Sequence, residues 1–177
     1  MCGCNQARTL QVSVKPQAAK QVPLQKIITH AVPQATVLQT VDTSVWGARM
    51  WSVLHAAAAA ASSRAFAAQW NNILSALRTG LPCPDCSAHF NAWYAAHPLK
   101  MTLIPFRGAP AIVRWFLDLH NDVNLRTGRP VWTIAQLNAV YDASSVNSAK
   151  AALASLQGII GPDLYSALAT LLATLAK

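Results

Sequence analysis

The sequence predicts an all-α protein: a four-helix bundle with a short fifth helix, a flexible N-terminal tail and an extra C-terminal helix. Three observations predict it. Hydrophobic residues make up 53% of the chain, largely as Ala and Leu, the residues with the best helix propensities. Apolar residues recur at three- and four-residue spacing through the middle of the chain. Between those stretches stand Gly and Pro at positions where helices stop or start. A length of 177 residues fits one domain with terminal additions.

The order of elements follows from these signals. Residues 1–42 are rich in Gln, Val, Lys and Pro, carry no acid before Asp42, and keep no period. They read as a flexible basic tail. Asp42-Thr43-Ser44 supplies N-cap candidates for a first helix over about residues 45–62, which sets Trp51 and His55 four apart on one face. A second helix over about 63–79 buries Phe66, Trp70, Ile73, Leu74 and Leu77, with Gly80 as its stop. The third starts at Cys83, in the cap position, with Pro84 in its first turn. It carries Phe90, Trp93 and Tyr94 and ends before Pro98. The fourth covers about 110–127 with Ile112, Trp115, Phe116, Leu119 and Val123 inward, closed by Gly128 and Pro130. A short fifth spans about 134–141. Residues 43–145 form the domain, and 146–177 a helical extension whose last helix opens at Gly161-Pro162-Asp163. Leu164, Leu168, Leu171, Leu172 and Leu175 give that helix one apolar side, suited to packing on the bundle.

Charge and cysteine usage narrow the function. There is no Glu. Six Asp stand against fourteen Lys and Arg, a net charge of +8. The positive charge is dispersed between Lys15, Lys20 and Lys26 in the tail and Arg107, Arg114, Arg126 and Arg129 around the fourth helix. The second cluster suits a phosphate-bearing cofactor, and a polynucleotide partner is not expected. Four cysteines in two pairs are too few to staple a chain of this length. They fit a redox or a metal role. No run reaches the ~18–20 apolar residues that cross a bilayer, and no secretory leader is evident.

Cys83-Pro84-Asp85-Cys86 carries the chemistry. At a helix N-terminus, free N–H groups and the helix dipole favour thiolate. Two-residue spacing allows a disulfide to close and reopen. The same residues with His89 read equally as half of a zinc site, which would make the chain a non-catalytic zinc-stabilised helical binding module. On the flanking helices, Trp51 and His55, then His120, Asn121, Val123 and Asn124, gather rings, an imidazole pair and amides. Buried polar groups of this kind need partners, and a heteroaromatic ligand supplies them. Arg126 and Arg129 stand where a pyrophosphate could lie.

The ordered set Trp46-Gly47-x-x-x-Trp51-x-x-x-His55, Pro82-Cys83-x-x-Cys86 and Leu119-His120-Asn121-x-Val123-Asn124-x-x-x-Gly128-Arg129-Pro130 resembles the Erv/ALR family of FAD-linked sulfhydryl oxidases. The resemblance covers about residues 44–141. It departs in one basic position of the first helix, where Ala48 stands and Arg49 follows. The resemblance implies a helical bundle holding FAD against the CxxC. Cys83 would be the interchange cysteine and Cys86 the flavin-proximal one. Trp51, His55, His120, Asn121, Val123 and Asn124 would line the FAD pocket, with Arg126 and Arg129 near its phosphates. It also implies disulfide formation in reduced protein thiols or a thioredoxin-like dithiol carrier, with molecular oxygen as acceptor and hydrogen peroxide released.

Three further expectations come with it. Cys2 and Cys4 would be a shuttle pair on the tail, whose ~40 residues span about 35 Å as a flexible chain. The chain would be a homodimer, its first helices pairing through the small-residue face Ala56 to Ala61. The compartment would be the cytoplasm, as in viral relatives, or else the mitochondrial intermembrane space.

Overall fold

A computed structural model describes residues 41–99 and 111–175 of the chain. The expectations resting on Cys2, Cys4 and the rest of residues 1–40 lie outside them. All regular structure among the described residues is helical. α1 spans Thr43–Ala60, α2 Ala67–Gly80, α3 Pro84–Ala96, α4 Ala111–Arg126, α5 Ile134–Val140, α6 Val146–Ala154 and α7 Pro162–Thr174. The fold class read from the sequence is the one observed.

α1 is the central helix. It packs against α4 and α6, and α2 packs against α3 and α7. Asp42 caps α1, its carboxylate accepting the Ser44 N–H at 2.9 Å. The helix ends at Ala60, two residues earlier than expected. The chain then passes through a short 3-10 turn, Arg64–Phe66, before α2. The reason lies in Trp70, whose buried indole N–H donates to the Ala61 carbonyl at 2.8 Å and fastens the corner. Truncating such a buried ring to alanine would cost roughly 3–5 kcal/mol. Phe66, sitting in the 3-10 turn, is only half-buried, whereas Trp70, Ile73, Leu74 and Leu77 fill the core as their spacing requires.

α3 and α4 meet through large rings. Trp115 of α4 makes edge contacts with Trp93 at 4.8 Å, Tyr94 at 6.0 Å and Phe90 at 6.4 Å, favourable geometries for aromatic pairs. α4 ends at Gly128, whose φ of 68° is one that L side chains rarely adopt. The Arg129 N–H then closes back on the Asn124 carbonyl at 2.7 Å. α5 opens with a capping box, Thr133 and Gln136 each bonding the other's backbone N–H.

The extension holds two helices rather than one. α6 packs along α1 and buries Val146, Ala149 and Leu153. α7 covers α2 with Leu164, Leu168, Leu171 and Leu172. At the α2–α7 crossing the Gly161 N–H donates to the Gly80 carbonyl at 2.8 Å. A Cβ on Gly161 would lie 2.8 Å from Gly80 Cα, and one on Gly80 would lie 2.7 Å from Leu164 Cβ. Gly80 therefore serves close backbone approach rather than a left-handed helix stop. The small-residue face of α1 is also accounted for within the chain. Ala56, Ala57, Ala58 and Ala61 are buried in a single copy. These four side chains pack inside the chain, where α6 lies along α1, while Ala59 and Ala60 of the same face stay half-exposed.

Candidate functional site

α1 places Trp51 and His55 one turn apart, their rings stacked at 5.5 Å. α4 brings His120 against Trp51, centroids 4.2 Å apart and planes within 9°. Tyr141, just after α5, stacks on His55 at 5.2 Å, and Trp132 approaches His120 at 5.8 Å. Five rings from three parts of the chain form one wall. His55 Nε2 and His120 Nδ1 share a hydrogen bond of 2.9 Å. Burial, then the neighbouring His120, holds His55 down at about 3; burial, then the Arg129 charge, holds His120 at about 4. Both imidazoles are neutral at physiological pH, so one nitrogen of the pair donates and the other accepts. His55 Nδ1 is buried with no hydrogen-bond partner among the described residues. An orphaned polar atom of this kind costs about 1–3 kcal/mol until something satisfies it.

This wall borders a cavity of 620 Å³, within the size range of cofactor and ligand sites. Trp51, His120, Val123, Asn124, Arg126, Arg129 and Cys86, all read from the sequence, line it. Leu77, Phe90 and Met50 give it apolar surface, while Arg126 and Arg129 are exposed at its margin.

Other expected residues sit elsewhere. Asn121 does not line the cavity. Its amide is committed on both sides to the backbone of Trp132, donating to the carbonyl and accepting from the N–H, each at 2.8 Å. It fixes the segment that carries the Trp132 ring. Asn124 donates to the Pro130 carbonyl at 3.0 Å while bordering the cavity. His55 lies behind the lining, 1% exposed. Arg49 points away, donating to its own helix at the Val45 carbonyl.

Cys83 caps α3, its sulfur accepting the Cys86 N–H at 3.2 Å. Cys86, half-buried, borders the cavity; Cys83 does not. Burial, the hydrogen bond and charge of Cys83, and the Asp85 charge push the Cys86 thiol up to about 12. This reverses the lowering expected of a helix N-terminus. The free amide there points at Cys83, and the thiol beside the cavity is desolvated. One turn on, His89 Nε2 meets Asp122 Oδ2 of α4 at 2.6 Å. Among the described residues no three His, Cys, Asp or Glu side chains come together as metal ligands, so the zinc reading of Cys83, Cys86 and His89 lacks a coordination set.

Sequence reasoning missed Trp132, Tyr141 and Asp122. The two rings flank the short α5, outside any helical stripe, and only their aromatic character signalled them. Asp122 stands inside the His120–Asn124 segment and could have been matched with His89 by charge. The donor set fits a flat heteroaromatic group bearing phosphates: aromatic faces, an apolar interior and two guanidinium groups at the margin.

The model of the Erv1/Alr family matches residues 48–142, more than half of the chain. The chain is 26% identical over 111 residues to the mitochondrial FAD-linked sulfhydryl oxidase erv1 of Schizosaccharomyces pombe. That alignment covers 59% of this chain and 58% of the relative, so the chain spans less than two thirds of the relative's length. No solved structure matches the chain. The family match ends before α6, so α6 and α7 lie outside it. No helix among the described residues is long and apolar enough to cross a membrane.

Proposed function

The chain belongs to the Erv1/Alr family, and from that premise we propose that it is an FAD-dependent sulfhydryl oxidase that forms disulfides in thiol substrates. The observation that carries this is the position of Cys86, which borders the ring-walled cavity while its CxxC partner Cys83 lies outside the lining. Cys83 is then the sulfur that an outside thiol reaches first. Its position as the cap of α3 holds the Sγ at the head of the helix. Attack at Cys83 breaks the Cys83–Cys86 bond and leaves the electron pair on Cys86, inside the cavity margin. A second outside thiol then attacks the first substrate sulfur, Cys83 leaves as the thiolate, and the substrate departs as a disulfide.

Trp51 and His120 would hold the flat ring system by stacking, and Arg126 and Arg129 would meet the phosphates. His55 fixes His120 through their shared hydrogen bond. Trp132, held by Asn121, and Tyr141 close the ring wall and keep water from it. When bound, FAD supplies a two-electron acceptor for the dithiol and a donor to molecular oxygen, which leaves as hydrogen peroxide. The neutral state of both imidazoles suits them to an uncharged ring.

Substrates on this reading are reduced protein thiols or a thioredoxin-like dithiol carrier, with Cys2 and Cys4 as a relay. Deleting residues 1–40 should then spare turnover of a small dithiol and slow turnover of a reduced protein. The named relative is mitochondrial, which favours the intermembrane space over the cytoplasm. The reading is tested by purifying the full chain with FAD and measuring absorbance near 450 nm and oxygen uptake with a dithiol. Flavin-loaded protein that consumes oxygen no faster than free flavin would sink it.

A further inference from the structure

Cys86 meets a proton problem that the CxxC alone does not solve. Each time the Cys83–Cys86 bond forms, Cys86 must lose a proton. Each time it breaks, Cys86 leaves as a thiolate. Its surroundings oppose that charge: it is desolvated at the cavity edge, with Asp85 one residue away. Sulfur chemistry in such a place needs a positioned proton acceptor.

One stands a helical turn away. Residues 86 and 89 of α3 share a face, their Cβ atoms about 5–6 Å apart at this spacing. Both line the same cavity. His89 is not loose there. Its Nε2 is 2.6 Å from Asp122 Oδ2, and its side chain is only 16% exposed against 38% for Asp122. A carboxylate at Nε2 sets that nitrogen as the N–H donor and leaves the lone pair on Nδ1. His89 Nδ1 makes no hydrogen bond among the described residues. The other charged or titratable groups at this cavity are Asp85, Cys86, His120, Arg126, Arg129 and Tyr141. The two arginines are exposed at the margin, and α1 and α2 bring no charged side chain to the lining. The His120 imidazole is tied through Nδ1 to His55 and stacked on Trp51 of α1, whereas His89 shares the α3 face of Cys86. His89 is thus the ring next to Cys86 with a free nitrogen and a carboxylate behind it.

We propose that His89 carries the proton of Cys86 during thiol–disulfide exchange, with Asp122 as the positioning residue that holds its tautomer. The assignment rests on the oxidase reading. In closure of the CxxC, Cys83 carries an outside sulfur as a mixed disulfide. The proton of the Cys86 thiol passes to His89 Nδ1, directly or through one water. Cys86 Sγ bonds to Cys83 Sγ, and the bond from Cys83 to the outside sulfur breaks. The departing thiolate takes the proton back from His89. Two electrons stay with the outside thiol, the CxxC is oxidised, and the charges balance. The opposite direction returns the proton from His89 to Cys86 as it is displaced.

The test is the exchange itself, read without oxygen. The full chain carrying Cys2→Ser and Cys4→Ser is reduced, desalted under argon and mixed with one equivalent of an aromatic disulfide whose thiolate is coloured. A first colour phase reports attack by Cys83, and a second reports closure by Cys86. His89→Gln keeps a donor for Asp122 and loses the proton acceptor. It should leave the first phase unchanged and slow the second roughly tenfold or more near pH 7, the deficit closing near pH 9.5 as hydroxide takes over. A structural role would be rescued by Gln, so wild-type closure in His89→Gln, or a slowing equal at both pH values, overturns the assignment. Asp122→Asn should slow the same phase by a smaller factor, and it carries the test if the Gln variant does not fold. Wild-type closure in Asp122→Asn counts against the pair. Oxygen uptake by the same wild-type preparation with a dithiol is measured beside it. Failure there sinks the oxidase reading and leaves the exchange result to stand separately.

Discussion

Acidification should destabilise this protein through its two buried imidazoles, His55 and His120. His55 and His120 are held at about 3 and 4 in the folded chain, against an ordinary 6.5. Above 6.5 neither state binds protons at these sites and stability is unaffected. Between 6.5 and 4 the unfolded chain binds more protons than the folded one, so stability falls as pH falls. About pH 5 lies roughly 1.5 units below the unfolded value of each imidazole, so protonation of the unfolded chain removes about 2 kcal/mol per residue. The pair together loses about 4 kcal/mol, less what relaxation returns at His120, which is 8% exposed. Against a total stability of about 5–15 kcal/mol this is a large share. At roughly 2–4 °C per kcal/mol it lowers Tm by roughly 8–16 °C. Carboxylates do not confuse the reading. Asp42 and Asp142 are held below the usual 3.8 by hydrogen bonds from Ser44 and Ser144 and act only at lower pH. Circular-dichroism melts at matched ionic strength between about pH 7.5 and pH 5 measure the effect. A Tm that stays flat across that window would refute the reasoning. So would an undiminished pH dependence in the His55→Gln/His120→Gln double variant.

Cys83→Ser and Cys86→Ser should each abolish oxygen uptake with a dithiol. With FAD bound, Cys83→Ser should show a long-wavelength absorption band once raised pH turns the remaining Cys86 into a thiolate, and Cys86→Ser should lack it at any pH. The reverse spectra would exchange the two roles. Gly161→Ala forces a Cβ to 2.8 Å from Gly80 Cα and should cost about 1–3 kcal/mol, seen as a lower Tm. An unchanged melt would show that the α2–α7 crossing yields without cost. Because α6 and α7 cover α1 and α2 within one chain, light scattering of the full chain should give about the 18.9 kDa of a single copy, and a stable mass of twice that would mean pairing through another surface.

The fold was legible wherever a segment carried its own period and its own ends. The second, third and fourth helices carry apolar residues at helical spacing, and Asp42, Pro84 and Gly128 mark boundaries that the structure keeps. α6 had neither. Its nine residues bury only Val146, Ala149 and Leu153 and lack a side-chain cap, so contact with α1, not propensity, holds it. Gly80 looked like a stop and is a contact point, a distinction that depends on Leu164 and Gly161 far along the chain.

The same division runs through the site. Trp51, His120, Asn124 and Cys86 were visible because helical spacing alone sends each to a predictable face. Asn121 was not, since its partner is the backbone of Trp132, eleven residues on, and no pattern encodes that pairing. The surroundings of Cys86 were not legible for a related reason. A helix N-terminus is a local feature and argues for thiolate, but desolvation by the cavity is tertiary and stronger. That inversion bears on mechanism. A cysteine made acidic by its helix could exchange unaided, and His89 beside it would be incidental. A cysteine made less acidic by its cavity needs a proton acceptor within reach, and the hydrogen bond joining α3 to α4 at His89 and Asp122 holds one there. On the oxidase reading, the burial that would let Cys86 face a cofactor is therefore what would give His89 something to do.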